Sequence, residues 1–317
     1  MSSAADEPVG ARDGQRRRRA RERPSSYYGR PIIKAPVWQE RDIAGYLFAG
    51  GLAAGSSVVA AGAELTGRTQ LARSCKLCAS AALGVSLAAL VHDLGRPERF
   101  LNMLRVFKPT SPMNMGSWLL GVYGPLNGFA TASDVLGLAP RGGRAATAGA
   151  ALFGAGISSY TAALIANTAV PAWHEGHREL PFLFAGSAAA AGAGFGLLAA
   201  PLAESEPARR MAIAGAGVEL LCERLLERRL GMVAETLHED TAGKRMRAAK
   251  ALTGAGALGA ATLARRSRVA AALSGAALLA GSALTRFGVF AAGMASAQDP
   301  RYTVDPQRQR IRERKLG

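Results

Sequence analysis

The chain has 317 residues, with 39 Lys and Arg against 23 Asp and Glu, four His and three Cys. A formal charge of +16 would raise nucleic acid as a partner of a soluble protein, but here the basic residues flank apolar segments and no nucleic-acid motif accompanies them, so no nucleic acid is expected. The charges fall in clumps separated by apolar stretches of roughly 20 residues, the length of a membrane-crossing helix, which excludes a pair of ordinary soluble domains.

Residues 1–41 are rich in Arg, Ser, Pro, Gly and Glu and include Arg16-Arg17-Arg18-Arg19. They cannot bury enough apolar surface to fold alone and read as a disordered basic arm. The next apolar stretch is a full span without the cleavage site of a signal peptide, so no processing is expected. Eight spans can be drawn, at about residues 43–64, 75–92, 115–137, 145–168, 180–202, 211–230, 248–264 and 269–296. The expected fold is all-α: a polytopic membrane protein with about eight transmembrane helices in residues 42–297, followed by a C-terminal tail over residues 298–317.

The sixth span is the weakest, because "GVELLCERLLERRL" places Glu219, Glu223, Arg224 and Glu227 in its second half, a pattern that also fits a helix lying partly on the surface. In "FAGGLAAGSS", "AGAGFGLL" and "GAGVE", glycine or alanine recurs at three- and four-residue spacing, which lets membrane helices approach closely and predicts a compact bundle. Cys75 and Cys78 have redox or half-zinc-site spacing, yet no second pair follows and Cys222 is remote. The cysteines therefore read as small residues of membrane helices.

An even number of spans puts both termini on one side, together with the connections 92–112, 171–179 and 229–250. Lys and Arg occur on both sides, and the arm with the tail "QRQRIRERK" tips the positive-inside rule toward cytoplasmic termini in a cell membrane.

Polar residues gather on that terminal side. The second span ends at Asp93, Arg96 and Pro97, where a carboxylate and a guanidinium fit either a solvated helix cap or an acid and base beside a buried ligand. The fourth carries Tyr160 and Asn167 seven residues apart, on nearly one face, within a polar stripe that includes Ser158, Ser159, Thr161 and Thr168. Hydrogen bonding between helices accounts for such a stripe equally well. Trp173 follows at the expected boundary, where Trp commonly anchors. Haem is not expected, because His92, His174, His177 and His238 all lie at span ends or in connections. No metal is expected either: no cysteine or carboxylate cluster joins these histidines. Phosphate loops and nucleophile motifs are absent from the sequence.

Four separated stretches, "YLFAGGLAAG", "DLGRPERFLNMLRVFKPTSPMNMGSW", "YTAALIANTAVPAW" with "LPFLFAGSA", and "RFGVFAAGMASAQDPRYTVDPQR", closely resemble the NrfD/PsrC family, the membrane subunits of polysulfide-reductase-like complexes, over about residues 38 to 309. The resemblance implies an eight-helix, haem-free integral membrane subunit that binds a quinone (menaquinone or ubiquinone). It also implies docking of an iron–sulfur subunit of the four-cluster ferredoxin type, itself joined to a molybdopterin catalytic subunit such as a polysulfide reductase or formate dehydrogenase. The main catalytic centre would then lie on a partner, and this chain would exchange electrons between the docked subunit and the membrane quinone pool. By the same resemblance the quinone head group is expected among Trp38, Glu40 and Tyr46 of the first span, Asp93 and Arg96 at the end of the second, and Tyr160 and Asn167 on the fourth. Tyr160 would donate to a quinone carbonyl, while Asp93, held near Arg96, would relay protons. Glu64 and Glu219 are further carboxylates for a proton route. Two other readings stand beside this one: a secondary transporter, which predicts helices broken near the bilayer centre, and a structural anchor in which the polar stripe is only packing.

Overall fold

A computed structural model describes residues 32–34, 36, 38–93, 102 and 104–316, apart from the side chains of 310, 313, 315 and 316. Most of the basic arm, and Arg96 with Pro97, lie outside the described residues. Eight helices of 20 residues or more follow one another: α1 (Glu40–Leu65), α2 (Thr69–Asp93), α3 (Pro112–Leu136), α4 (Pro140–Ala166), α5 (Leu180–Ala199), α6 (Glu206–Leu230), α7 (Asp240–Ala261) and α8 (Arg268–Gln298). A ninth, α9 (Arg301–Leu316), forms the tail, and no strand occurs among the described residues.

The helices outrun the apolar stretches that reveal them. α2 begins at Thr69 rather than near 75, α7 at Asp240 rather than near 248, and α1 at Glu40, inside the stretch expected as arm. Hydropathy marks only the part of a helix that lipid would touch, whereas backbone hydrogen bonding continues through the charged turns at each end. Local signals set the true limits. Ser111 caps α3 by accepting from the Asn114 backbone N–H, with Pro112 following it. Gly137, at φ 68°, ends the same helix in the left-handed conformation that favours glycine.

Five of the eight helices, α1, α2, α4, α5 and α8, are long and apolar enough to cross a membrane by length and composition. Composition alone does not place α3, α6 and α7, which carry polar or charged residues along their length. Burial is informative for α6. It exposes Leu221 (57 %) and Leu225 (43 %) while burying Glu219 and Glu223. Leu226 and Leu230 are buried and Arg224 is exposed on the same helix, so it is the exposed stripe of Ile213, Val218, Leu221 and Leu225 that suits an outer face meeting hydrocarbon.

Antiparallel neighbours pair along the chain: α1 with α2, α3 with α4, α5 with α6, α7 with α8. α1 and α5 pack together across the middle. Their crossing depends on glycine: a Cβ on Gly55 would lie 1.9 Å from the Ala188 carbonyl oxygen, and one on Gly192 would lie 2.2 Å from the Gly55 carbonyl carbon. The small-residue stretches of the sequence are thus where backbones touch.

One sequence expectation is corrected by this packing. Trp173 is fully buried rather than anchored at the membrane boundary. The short turn Pro171–Glu175 folds back into the bundle, so the indole Nε1 donates to the Val289 carbonyl at 2.9 Å and lies over Gly293 of α8. At the opposite end, Glu64 accepts from buried Lys76 at 2.5 Å, and Asp134 contacts the same ammonium at 3.3 Å. Glu64 is therefore held in a closed charge cluster at the far end of α1 from Trp38 and Tyr46.

Candidate functional site

The start of α1, the end of α2, the start of α3 and the end of α4 meet at one end of the bundle because successive helices run antiparallel. They enclose a cavity of about 340 Å³. Ile43, Leu47, Leu90, Leu120 and Leu164 supply apolar wall. Among them stand Tyr46, Asp93, Ser117, Tyr160 and Asn167, with Trp38 at the edge of the sequence-distant Trp173 cluster. Few polar groups on an apolar wall is the usual make-up of a small-molecule site.

Five of the seven sequence candidates therefore line one cavity: Trp38, Tyr46, Asp93, Tyr160 and Asn167. Each is placed by a separate cause. Trp38 stacks on Trp173, with ring centroids 5.9 Å apart at 20°. Tyr46 is buried in α1, its carbonyl accepting from Ser86 of α2 at 3.2 Å. Tyr160 lies flat against α3 at Gly116, where a Cβ would come within 2.0 Å of its Cζ. Asn167 is the C-cap residue of α4, and Asp93 the last residue of α2.

Glu40 turns away from this cavity. It accepts from Arg245 of α7 and lines a separate, larger cavity of about 900 Å³ between the start of α1, the start of α7 and the end of α8. As the first residue of α1 it is rotated away from the Tyr46 face, and the guanidinium opposite fixes it there. Arg96 lies outside the described residues.

The polar stripe of α4 resolves into two kinds of residue. The hydroxyls of Ser158, Ser159, Thr161 and Thr168 donate to carbonyls one turn back on their own helix. Those bonds stay within one helix and bridge to no other; Thr168 nonetheless lines the cavity, together with Tyr160 and Asn167. As for the transporter alternative, α1 to α8 each run as a continuous helix, α3 even through Pro125.

Sequence reasoning missed two groups. Asp42, in the first turn of α1, lies 2.9 Å from His92 Nδ1, next to Asp93. Acidic residues are favoured at a helix start, and that signal was available in "ERD". The other is Arg286, fully buried in α8, whose signal was a lone arginine in the apolar stretch "GSALTRFGVFAAG". Among the described residues no three His, Cys, Asp or Glu side chains converge in a way that could hold a metal ion. His92 and His238 are exposed and lie beside carboxylates, Asp42 and Glu227 respectively.

A family model described as "Polysulphide reductase, NrfD" matches residues 34–214, more than half of the chain. The matched region contains all four helices that enclose the cavity. No curated protein matches the chain.

Proposed function

The chain belongs to the NrfD family of polysulphide reductase, and from that premise we propose that it is the quinone-binding, electron-transferring membrane subunit of a multi-subunit oxidoreductase. The observation that carries this reading is the cavity that gathers Trp38, Tyr46, Asp93, Tyr160 and Asn167 from three helices and the segment before α1. Its size lies in the range of small-molecule sites, about 300 to 1,000 Å³. Its apolar walls fit a lipid-soluble ring, and its polar groups fit two carbonyls.

A quinone from the membrane pool carries two electrons and two protons. The chain's residues would bind its ring, orient its carbonyls and supply protons. Tyr160, packed on Gly116, holds its hydroxyl against the α3 backbone side of the cavity, positioned to donate to one carbonyl. Asp93 is half-buried at the helix end, beside the Asp42–His92 pair, and exchanges protons between the cavity and water. Trp38 would border the ring at the edge of the site. In the proposed complex, electrons arrive from an iron–sulfur subunit of the four-cluster ferredoxin type docked on this same end, with a molybdopterin subunit behind it. We further propose that this end, with both termini, faces the cytoplasm of the cell membrane.

The test uses the assembled complex, with an artificial donor feeding the iron–sulfur subunit and quinone reduction as the readout. Asp93→Asn is expected to lower the rate about a hundredfold, the lower end of acid–base contributions. Tyr160→Phe is expected to lower it about tenfold, the loss of one hydrogen bond. Unchanged rates in both variants would remove this cavity as the quinone site.

A further inference from the structure

The interior holds charge that the cavity does not use. Arg286 of α8 is fully buried and Glu219 of α6 is 2 % exposed. Arg286 Nη2 donates to the Phe184 carbonyl at 2.8 Å, and the guanidinium lies over the Phe184 ring at 3.7 Å from its centroid. Thr285 donates to Glu219 Oε1 at 2.6 Å, and Ser187 of α5 donates to Ser282 of α8 at 2.9 Å. Four buried atoms, Glu219 Oε2, Thr253 Oγ1, Arg286 Nε and Arg286 Nη1, have no hydrogen-bond partner among the described residues. Buried polar atoms of this kind are common partners of internal water. Among the described residues no direct ion pair joins Glu219 to Arg286, although their charges act on each other.

A line of titratable groups leads outward. Glu219, Glu223 and Glu227 follow one another at single-turn spacing on α6. Lys250 of α7 lies 3.4 Å from Glu223 and 2.7 Å from Glu227, and His238 Nε2 lies 3.7 Å from Glu227. Exposure rises along the line: Glu219 and Glu223 are buried, the Glu227 side chain is 24 % exposed and that of His238 52 %. Of the other helices packed here, α8 contributes Arg286, and α5 has no titratable residue. A purely structural charge pair requires neither the unsatisfied atoms nor the graded line; ionisable groups inside a membrane bundle commonly mark proton routes.

We propose that Glu219 and Arg286 form a hydrated proton-storage site inside the bundle, filled from the terminal end through His238, Glu227, Lys250 and Glu223. A proton from bulk water enters at His238, is passed inward by these groups and their waters, and ends on the Glu219 carboxylate as a carboxylic acid. Arg286 keeps its charge, and release is the reverse. The site adjoins the cavity: Arg286 Nη2 packs on α1 at Gly51, one turn beyond Leu47 of the cavity wall. It stands whether or not the cavity holds a quinone.

Infrared spectroscopy of the full-length chain in lipid nanodiscs, titrated over pH and transferred from H2O to D2O, reads this directly. A carboxylic-acid C=O band is expected that shifts in D2O, disappears in Glu219→Gln and moves in frequency in Glu219→Asp. In Lys250→Met, exchange of that band is expected to slow about tenfold. If no titrating band responds to Glu219→Gln or Glu219→Asp, the storage site is wrong. If exchange proceeds at the same rate in Lys250→Met, the route is wrong. Because no quinone or partner takes part, neither result bears on the cavity reading.

Discussion

Gly116 shows how one absent Cβ shapes the candidate site. The Tyr160 ring occupies the space an alanine methyl would take, 2.0 Å from Cζ and 2.1 Å from the hydroxyl. Gly116→Ala therefore has to push the phenol out of place, since α3 and α4 are both fixed by their other contacts. Overpacking of this kind costs about 1–3 kcal/mol. Thermal unfolding in detergent should show that loss, and a quinone titration should show affinity falling about tenfold. Wild-type values for both would mean that the ring has another resting place. At this scale Tyr160 and Asn167 were legible, because seven residues on a helix return to nearly the same face. Glu40 was not: sequence proximity to Trp38 and Tyr46 says nothing of its rotation at the helix start, which Arg245, 205 residues away, fixes.

Several helices in this bundle meet by close backbone approach at glycine. At the α1–α5 crossing, a Cβ on Gly192 would lie 2.2 Å from the carbonyl carbon of Gly55, against backbone that has no rotamer to yield. Gly192→Leu is expected to lower stability by more than about 3 kcal/mol, beyond the usual overpacking range. Gly217→Leu, on α6 where a Cβ would meet nothing within 4 Å, is expected to be near neutral. Comparing the two unfolding temperatures tests the assignment; equal effects would show that the crossing is not as close as described. Glycine spacing made the compactness legible in advance, but not which glycines face a backbone, since "AGAGFGLL" offers several at similar spacing. Charged segments were read least well. In "GVELLCERLLERRL" the carboxylates left a partly surface-lying helix open, yet Glu219 and Glu223 are buried with Leu226 and Leu230, while Leu221 and Leu225 are exposed beside Arg224. Hydropathy scoring counts charge without asking which way it faces.

At the scale of the whole molecule, the positions of the eight long helices were legible because each contains an apolar run, while the number that cross the membrane turns on α3, α6 and α7. The exposed apolar stripe of α6 and its packing against α5 and α7 argue that it crosses. If all eight cross, single cysteines at Lys108, His177 and Glu239 share one side of the membrane, and cysteines at Thr66, Arg141 and Ser267 share the other. Labelling sealed, oriented vesicles with a membrane-impermeant maleimide distinguishes the sets, and the native thiols do not interfere because Cys75, Cys78 and Cys222 are buried. Were α6 to lie on the surface, the label at Glu239 would move to the side of Thr66 and Arg141. That outcome would also separate the Glu223–Glu227–His238 line from the end that holds the cavity. With cytoplasmic termini, Lys108, His177 and Glu239 are expected to react from the cytoplasmic face alone; reaction from outside would invert the proposed orientation while leaving the eight-span arrangement in place.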